Sequence, residues 1–433
     1  MGVRRWLMCS AISIGFAIGI GGCDDDGGPI PVDGGLPDAG GGSSVVTDAG
    51  GAVPGVRPMP AGDIFDDTRV HEIALTMSPD DWQSIVQDTR GDEWRHATLT
   101  YDGVIIDDVG VRPAGESSRM PGNPKQAIRV KFDAFPGMGH FASKKVIKVD
   151  GLPSDLSMMR ERLAFFVFRT QMPAPREAAA RLTVNGDLRG HYTVIEVWDS
   201  ESIEEQFPMP SGPLYRIRGL VQGAMPEQGD PYLYRGPNVA TYVPYPWEPH
   251  IMNAARGDDI IPMLLNTMAS GAAGLEATMD MDRLLGYLAC NTVVMNTDGL
   301  AGDSDIEDHF EYFDPSTGKL VVLPWDSDNT FGSLMEMPDR YLYARFSRST
   351  PARIVRDNAD LRQRYEDRIR AVMAAVPITT LHAEADRIYQ QIHDVVYADP
   401  AKPFSNDAFE WGYNYVKTFA AQRYDFLRSQ LGN

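Results

Sequence analysis

Residues 295–332 read MNTDGLAGDSDIEDHFEYFDPSTGKLVVLPWDSDNTFG, and the order of elements in this stretch decides what kind of fold the chain builds. An apolar helical run, LLGYLACNTVVMN (284–296), leads into it, and Asp298 sits where that helix ends. HFEYFD and KLVVLP then read as two strands around a Pro-Ser-Thr-Gly turn. Asp326 and Asp328 follow the second strand directly. Residues two apart in an extended chain point to one side. Extended geometry at 326–328 therefore predicts a two-carboxylate pincer suited to Mg2+ or Mn2+. The flanking Val321, Val322, Leu323 and Phe331 read as core, and a buried acid requires a partner. Asp303, Asp305, Glu307 and Asp308 read instead as a charge run on a solvated loop.

Outward from this stretch, strands gather on the N-terminal side. VHEIALT (70–76) reads as a strand, and Ser78 and Pro79 supply the N-cap and first position of a helix. ATLTYDGVIIDDVGVR (97–112) alternates about Asp102-Gly103, a hairpin signal. AIRVKF (127–132) and KKVIKV (144–149) are basic strands. A helix is expected over 157–170, with Met159, Leu163, Phe166 and Val167 at helical spacing. RLTVNGDLRGHYTVIEV (181–197) is a second hairpin, turning at Asn185-Gly186. Residues 208–250 are rich in Pro, Tyr and Gly and read as irregular loops. Helices are expected at 257–272 and 280–296, and the pattern after Leu334 is mainly helical. This distribution predicts an α+β fold of two lobes, β-rich then mainly helical, with a ligand cleft between them.

The first 63 residues read as address and tether. Arg4 and Arg5, an apolar run to Ile20, and Gly21-Gly22 before Cys23 form a secretory signal over 1–22. The Gly-Gly-Cys ending resembles a bacterial lipobox and implies lipidation of Cys23. Residues 23–63 are dominated by Gly, Pro, Asp, Ala and Ser, a composition that reads as a disordered spacer. The folded domain is expected over 64–433. The whole places the protein in the cell envelope, membrane-anchored and facing the periplasm or cell exterior. A formal net charge of −20 argues against nucleic acid as a partner and suits divalent cations. Cys290 is the one cysteine within the expected domain, so no disulfide forms inside it.

Residues 295–332 resemble the signature of the spore coat protein H (CotH) kinase family: an Asp after a helix, a His-led strand, and a closing Trp-Asp-x-Asp-x-Thr-Phe-Gly. Other pieces match in order. These are VRPAGESSR (111–119), PKQAIRVKF (124–132), MMRERLAFFVFRTQMPAPREAAARLTVNGDLRGHYTVIE (158–196) and PLYRIRG (213–219). The likeness covers roughly 70–420. It implies an atypical protein-kinase-like fold with ATP between two lobes, and phosphorylation of Ser or Thr in secreted or surface proteins.

Mapped by order, Asp298 takes the role of the kinase Asp beside the substrate hydroxyl, and Asp326 that of the Mg2+-holding Asp, supported by Asp328. Ser117 and Ser118, beside Gly115, offer donors to phosphates. Arg129 and Lys131 share a strand face and offer positive charge. Lys148 is a rival, because its strand precedes the helix bearing Glu161, the order of a kinase lysine and its glutamate. Glu161 itself reads more simply as a helix-surface charge. Glu196 is placed near the nucleotide base, His309 is given a structural role, and Trp325 a core one. Three departures are visible: Phe310 where the family often has Asn, Glu116 in place of the Asn of Gly-Asn-Ser-Ser, and Lys125-Gln126 in place of Lys-Lys. They keep a second reading open, a non-catalytic pseudokinase that binds metal, Ca2+ included, and serves surface or coat assembly.

Overall fold

The computed structural model describes residues 63–87, 93–115, 119, 121–135, 139–218, 229–251, 258–302, 306–333 and 336–432. Cys23, the signal and nearly all of the spacer lie outside these, as do Ser117, Ser118, Asp303 and Asp305. Seven strands close a barrel in the order β1-β2-β3-β4-β5-β7-β6. They are β1 (His71–Met77), β2 (Arg95–Tyr101), β3 (Val104–Pro113), β4 (Ile128–Lys131), β5 (Val146–Asp150), β6 (Glu177–Val184) and β7 (Asp187–Glu196). Two of the turns are the expected ones. Asp102-Gly103 and Asn185-Gly186 both carry positive φ at each position, as tight hairpins of this twist require. Closure comes from β1 and β6, which pair in parallel, His71 opposite Ala180. Inward residues such as Leu99, Val111, Val130, Val149 and Leu182 fill the barrel. Each buried aliphatic side chain of this kind contributes about 1.5–3 kcal/mol.

A second sheet has the order β11-β10-β8-β9. It comprises β8 (Leu214–Ile217), β9 (Trp247–Ile251), β10 (His309–Asp314) and β11 (Lys319–Pro324). Thus 208–250, expected as loops, contributes two strands and buries Tyr232, Tyr242 and Trp247. Helices α1 (Pro79–Gln87), α2 (Arg160–Phe168) and α3 (Ser200–Gln206) sit among the strands. The C-terminal part carries α4 (Ile260–Met268), α5 (Ala272–Thr278), α6 (Met281–Val294), α7 (Thr350–Asp357), α8 (Ala359–Ala375), α9 (Ile378–Tyr397) and α10 (Asn406–Leu431). The fold is α+β, and the closed barrel is a feature the sequence pattern did not announce. No helix among the described residues is long and apolar enough to cross a membrane.

Three contacts tie the barrel to the helices and to the second sheet. Helix α9 packs on the outer face of β6 and β7 and α2 packs on α9, and Ala179 of β6 joins the helical core there. Asp399, just after α9, accepts bonds from Lys125 Nζ (2.8 Å), the His191 amide (3.0 Å) and the Ala401 amide (2.8 Å). It lies against Gly190, where a Cβ would fall 1.9 Å from its Cγ, so only glycine admits this latch. The Trp198 indole donates to the Pro324 carbonyl (2.7 Å), tying the end of β7 to the end of β11. Around that bond Ile195, Val197, Trp198, Phe310, Leu323 and Trp325 form a separate apolar cluster. Phe310 therefore points into core, packed edge-to-face on Trp325.

Candidate active site

Helix α6 ends at Met295, whose left-handed conformation (φ 58°) turns the chain sharply. Asn296 Oδ1 caps the Asp298 amide at 2.9 Å. The Asn329 carboxamide then clamps this turn to the loop after β11. Its Nδ2 donates to Asp298 Oδ2 (2.6 Å), and the Asn329 main-chain carbonyl accepts from the Thr297 amide (3.0 Å). The loop is held from behind by Phe331 N to Val294 O (2.8 Å) and by Gly332, where a Cβ would meet Phe419 and Tyr415 Oη at 2.7 Å. So Asp298 and the Asp326–Asp328 segment are locked into one unit.

Asp326 lies beyond the strand, at φ 46°. The expected extended pincer is thus corrected: a left-handed turn, not a strand, presents the two carboxylates. The Asp326 carboxylate meets Lys148 from β5, Nζ to Oδ1 at 3.1 Å, and the same ammonium reaches Asp150 at 3.0 Å. Burial opposes charge on Lys148, but Asp326, Asp150 and Glu161 hold it well above the usual lysine range. Burial first, and then the nearby Asp326, push Asp328 well above the usual carboxylate range, with Lys148 offsetting part. Asp308 is raised in the same way, by burial and then by Asp326, Glu307, Asp298 and Asp328.

Asp308 corrects the solvated-loop reading of 303–308, because it is 7% exposed and turned at φ 52° into the same cluster. Glu161 is likewise no surface charge. It is buried, and its carboxyl is raised by burial and by Glu177. Asp150 was missed, although its place two residues after Lys148 on one strand put both on one face. Asn329 had no sequence signal beyond adjacency to Asp328.

The other expected residues divide. Arg129 stands in register between Arg112 on β3 and Lys148 on β5, so three cations line one row of the sheet. Lys131 shares that face but lies two residues along, 3.6 Å from Asp133 and near Trp94. Glu196 does not join the cluster. Its neighbour Ile195 is the residue opposite Lys148, so Glu196 points to the other face. There it binds Arg176 through both oxygens (2.7 and 2.9 Å) and Lys144 (2.8 Å). Its carboxylate, against burial, is held low by these partners. His309 is buried, bonded to Tyr232 Oη (2.7 Å) and the Glu307 carbonyl (2.6 Å), as befits a structural residue.

Hard carboxylate oxygens that raise one another's proton affinity form a donor set that fits a divalent cation. Among the described residues no three acids or histidines are spaced to hold a metal ion by themselves.

Comparison with curated proteins finds no match. The profile of the family described as CotH kinase protein matches residues 111–427. That span runs from within β3 to within α10 and contains Arg112, Arg129, Lys148, Asp298, Asp326 and Asp328. A match over well more than half of the chain shows that this protein belongs to the CotH kinase protein family.

Proposed function

We propose that the protein is an extracytoplasmic, lipid-anchored atypical kinase that transfers phosphate from ATP to Ser or Thr of secreted or surface proteins. The observation that carries this reading is the meeting of Lys148 and Asp326 at 3.1 Å, a barrel cation on the loop acid of a two-part fold. On this reading the barrel and the helical part act as the two lobes of a kinase-like fold. Asp326 and Asp328 hold Mg2+ or Mn2+, and Lys148 with Arg129 neutralises phosphate oxygens. Magnesium-bound ATP supplies the transferable phosphoryl group. Asp298, fixed by Asn329, orients the acceptor hydroxyl and accepts its proton as the hydroxyl oxygen bonds to the γ-phosphorus and the bond from that phosphorus to ADP, the leaving group, breaks. Ser117 and Ser118 keep their proposed role as hydrogen-bond donors to the phosphates. Cys23 confines the chemistry to surfaces within reach of a roughly forty-residue tether, about 35 Å in root-mean-square extension.

The test is the melting temperature of the full chain with Mg2+ or Mn2+, with and without ATP, for wild type and Asp326→Ala. A ligand that binds only the folded state raises the melting temperature. The expected outcome is an ATP-dependent rise in wild type that Asp326→Ala abolishes. No ATP-dependent shift over a wide concentration range would sink the nucleotide reading. Stabilisation by Ca2+ alone would favour the non-catalytic assembly protein.

A further inference from the structure

Behind the Asp298 turn lies a chain of three polar side chains whose protons can be counted. His309 opens β10, Glu311 stands two residues on, and Tyr232 reaches both from the segment between β8 and β9. All three are fully buried. The Tyr232 hydroxyl lies 2.7 Å from His309 Nε2 and 2.5 Å from Glu311 Oε1. His309 Nδ1 lies 2.6 Å from the Glu307 main-chain carbonyl. The Glu307 amide in turn donates to the Asp298 carbonyl (3.0 Å). Tyr232 is itself well held. Its ring packs edge-to-face on Trp247, whose indole donates to the Pro231 carbonyl (2.8 Å). Its amide donates to Asp230 (2.9 Å), which also accepts from the Thr350 hydroxyl at the start of α7 (2.5 Å).

Three hydrogen bonds in this chain need three protons. A carbonyl only accepts, so Nδ1 carries one, and the phenol supplies another. The third sits either on Nε2, as an imidazolium facing a carboxylate, or on Glu311, as a carboxylic acid facing a neutral ring. Burial favours the second, because it disfavours charge on both groups. It lowers His309 to about 4 and raises Glu311 to about 8, with Tyr232 opposing the latter. Ionisable groups facing the chain are Tyr287 on α6, Asp230 and Asp308.

We propose that Tyr232 is a positioning residue for Asp298: its hydroxyl, held by the Glu311 carboxylic acid, donates to His309 Nε2 and locks the ring in the Nδ1–H tautomer that grips Glu307. The lock itself follows from the contacts, whereas its effect on phosphate transfer rests on the kinase reading above. Without the phenol, Nε2 loses its donor and the ring can carry its proton there instead. A bare Nδ1 then faces the Glu307 carbonyl, lone pair to lone pair, and the backbone bond from Glu307 to Asp298 loosens. Asn329 still holds the Asp298 carboxylate, so the turn is freed and the nucleotide side is untouched.

The test uses the full chain with isotope-labelled histidine, and the variants Tyr232→Phe and Glu311→Gln. Nitrogen chemical shifts report which ring nitrogen carries the proton. At about pH 7 wild-type His309 is expected as the Nδ1–H tautomer with Nε2 bare. Tyr232→Phe deletes only the hydroxyl and is expected to mix the tautomers. Deuterium exchange at the Glu307 amide then speeds up by up to about tenfold, the worth of one hydrogen bond. Glu311→Gln, whose amide donates to the same phenol, keeps the tautomer and the slow exchange. With MgATP and a mixed-sequence peptide library carrying Ser and Thr, Tyr232→Phe lowers kcat by about tenfold while KM for MgATP stays within about twofold. Glu311→Gln retains the wild-type rate. A doubly protonated ring in wild type would overturn the proposal whether or not Tyr232→Phe folds. An unchanged tautomer or an unchanged kcat in Tyr232→Phe would overturn it too. A tautomer that Tyr232→Phe loses, with no phosphate transfer by wild type, would uphold the lock and sink the kinase reading.

Discussion

Lys148→Met keeps the aliphatic stem of the side chain and deletes its ammonium. In the wild type that ammonium, on a side chain 5% exposed, bridges Asp326 at 3.1 Å and Asp150 at 3.0 Å. Removing one member of a buried ion pair costs about 3–5 kcal/mol, because the charge left behind is desolvated. The carboxylates that lose this ammonium are 29% and 13% exposed, so water reaches them and the lower end, about 3 kcal/mol, applies. In a domain of this size each kcal/mol shifts the melting temperature by about 2 °C, which gives a fall of about 6 °C without metal. The loss has a sign in pH. Asp308 and Asp328 already hold protons more tightly than unfolded carboxyls, and without Lys148 Asp328 holds its proton more tightly still. The folded variant therefore binds more protons than its unfolded chain, and stability declines as pH rises from the ordinary carboxylate value through the raised ones. Mg2+ should restore more stability to the variant than to wild type, since no ammonium competes for Asp326. Thermal unfolding by circular dichroism, across pH and with or without Mg2+, reads both effects. A variant melting within about 1 °C of wild type at every pH, with the same Mg2+ response, would refute Lys148 as the counter-ion of these acids.

Two other buried acids give further expected outcomes. Glu196→Gln weakens the fork to Arg176 and the pair to Lys144, so melting should fall while the MgATP-induced rise stays as in wild type; loss of that rise would return Glu196 to the nucleotide site. Burial pushes the Glu311 carboxyl up to about 8, with Tyr232 opposing, so the acid is mostly protonated at pH 7. Its folded value exceeds its unfolded one, and its effect on stability is lost progressively as pH rises from about 4.5 towards about 8. Glu311→Gln should remove that part of the decline in denaturant titrations, and an unchanged pH slope would count against a protonated Glu311.

Local pattern carried much of the fold. Alternation and paired turn residues announced the hairpins at 102–103 and 185–186, and a Pro-Ser-Thr-Gly turn announced β10 and β11. Barrel closure left no such mark, because β1 meets β6 across more than one hundred residues, and parallel pairing of distant strands has no local signal. The loop after β11 misled for a different reason. Alternation was extended two residues too far, and only the observed φ of Asp326 reveals the turn. Glu161 and Asp308 read as surface because each stands in a polar run, yet burial is fixed by what packs over them, which is tertiary.

Those misses share a cause. At a site that gathers like charges, local rules favour dispersal into solvent, whereas the fold concentrates acids against their own repulsion. Asp298, Asp308, Asp326 and Asp328 lie within electrostatic reach of one another, and two of them are driven towards their neutral forms. Such an arrangement destabilises the folded state unless a cation offsets it, so it persists only where the surrounding structure over-determines it. Here that structure is visible: Asn329 bonded to Asp298, Gly332 pressed on Phe419, and Trp198 pinning the end of β11. Lys148 supplies one cation to this loop, shared with Asp150. The proposed divalent ion would relieve this repulsion, and the neutral forms of Asp308 and Asp328 relieve part of it without one.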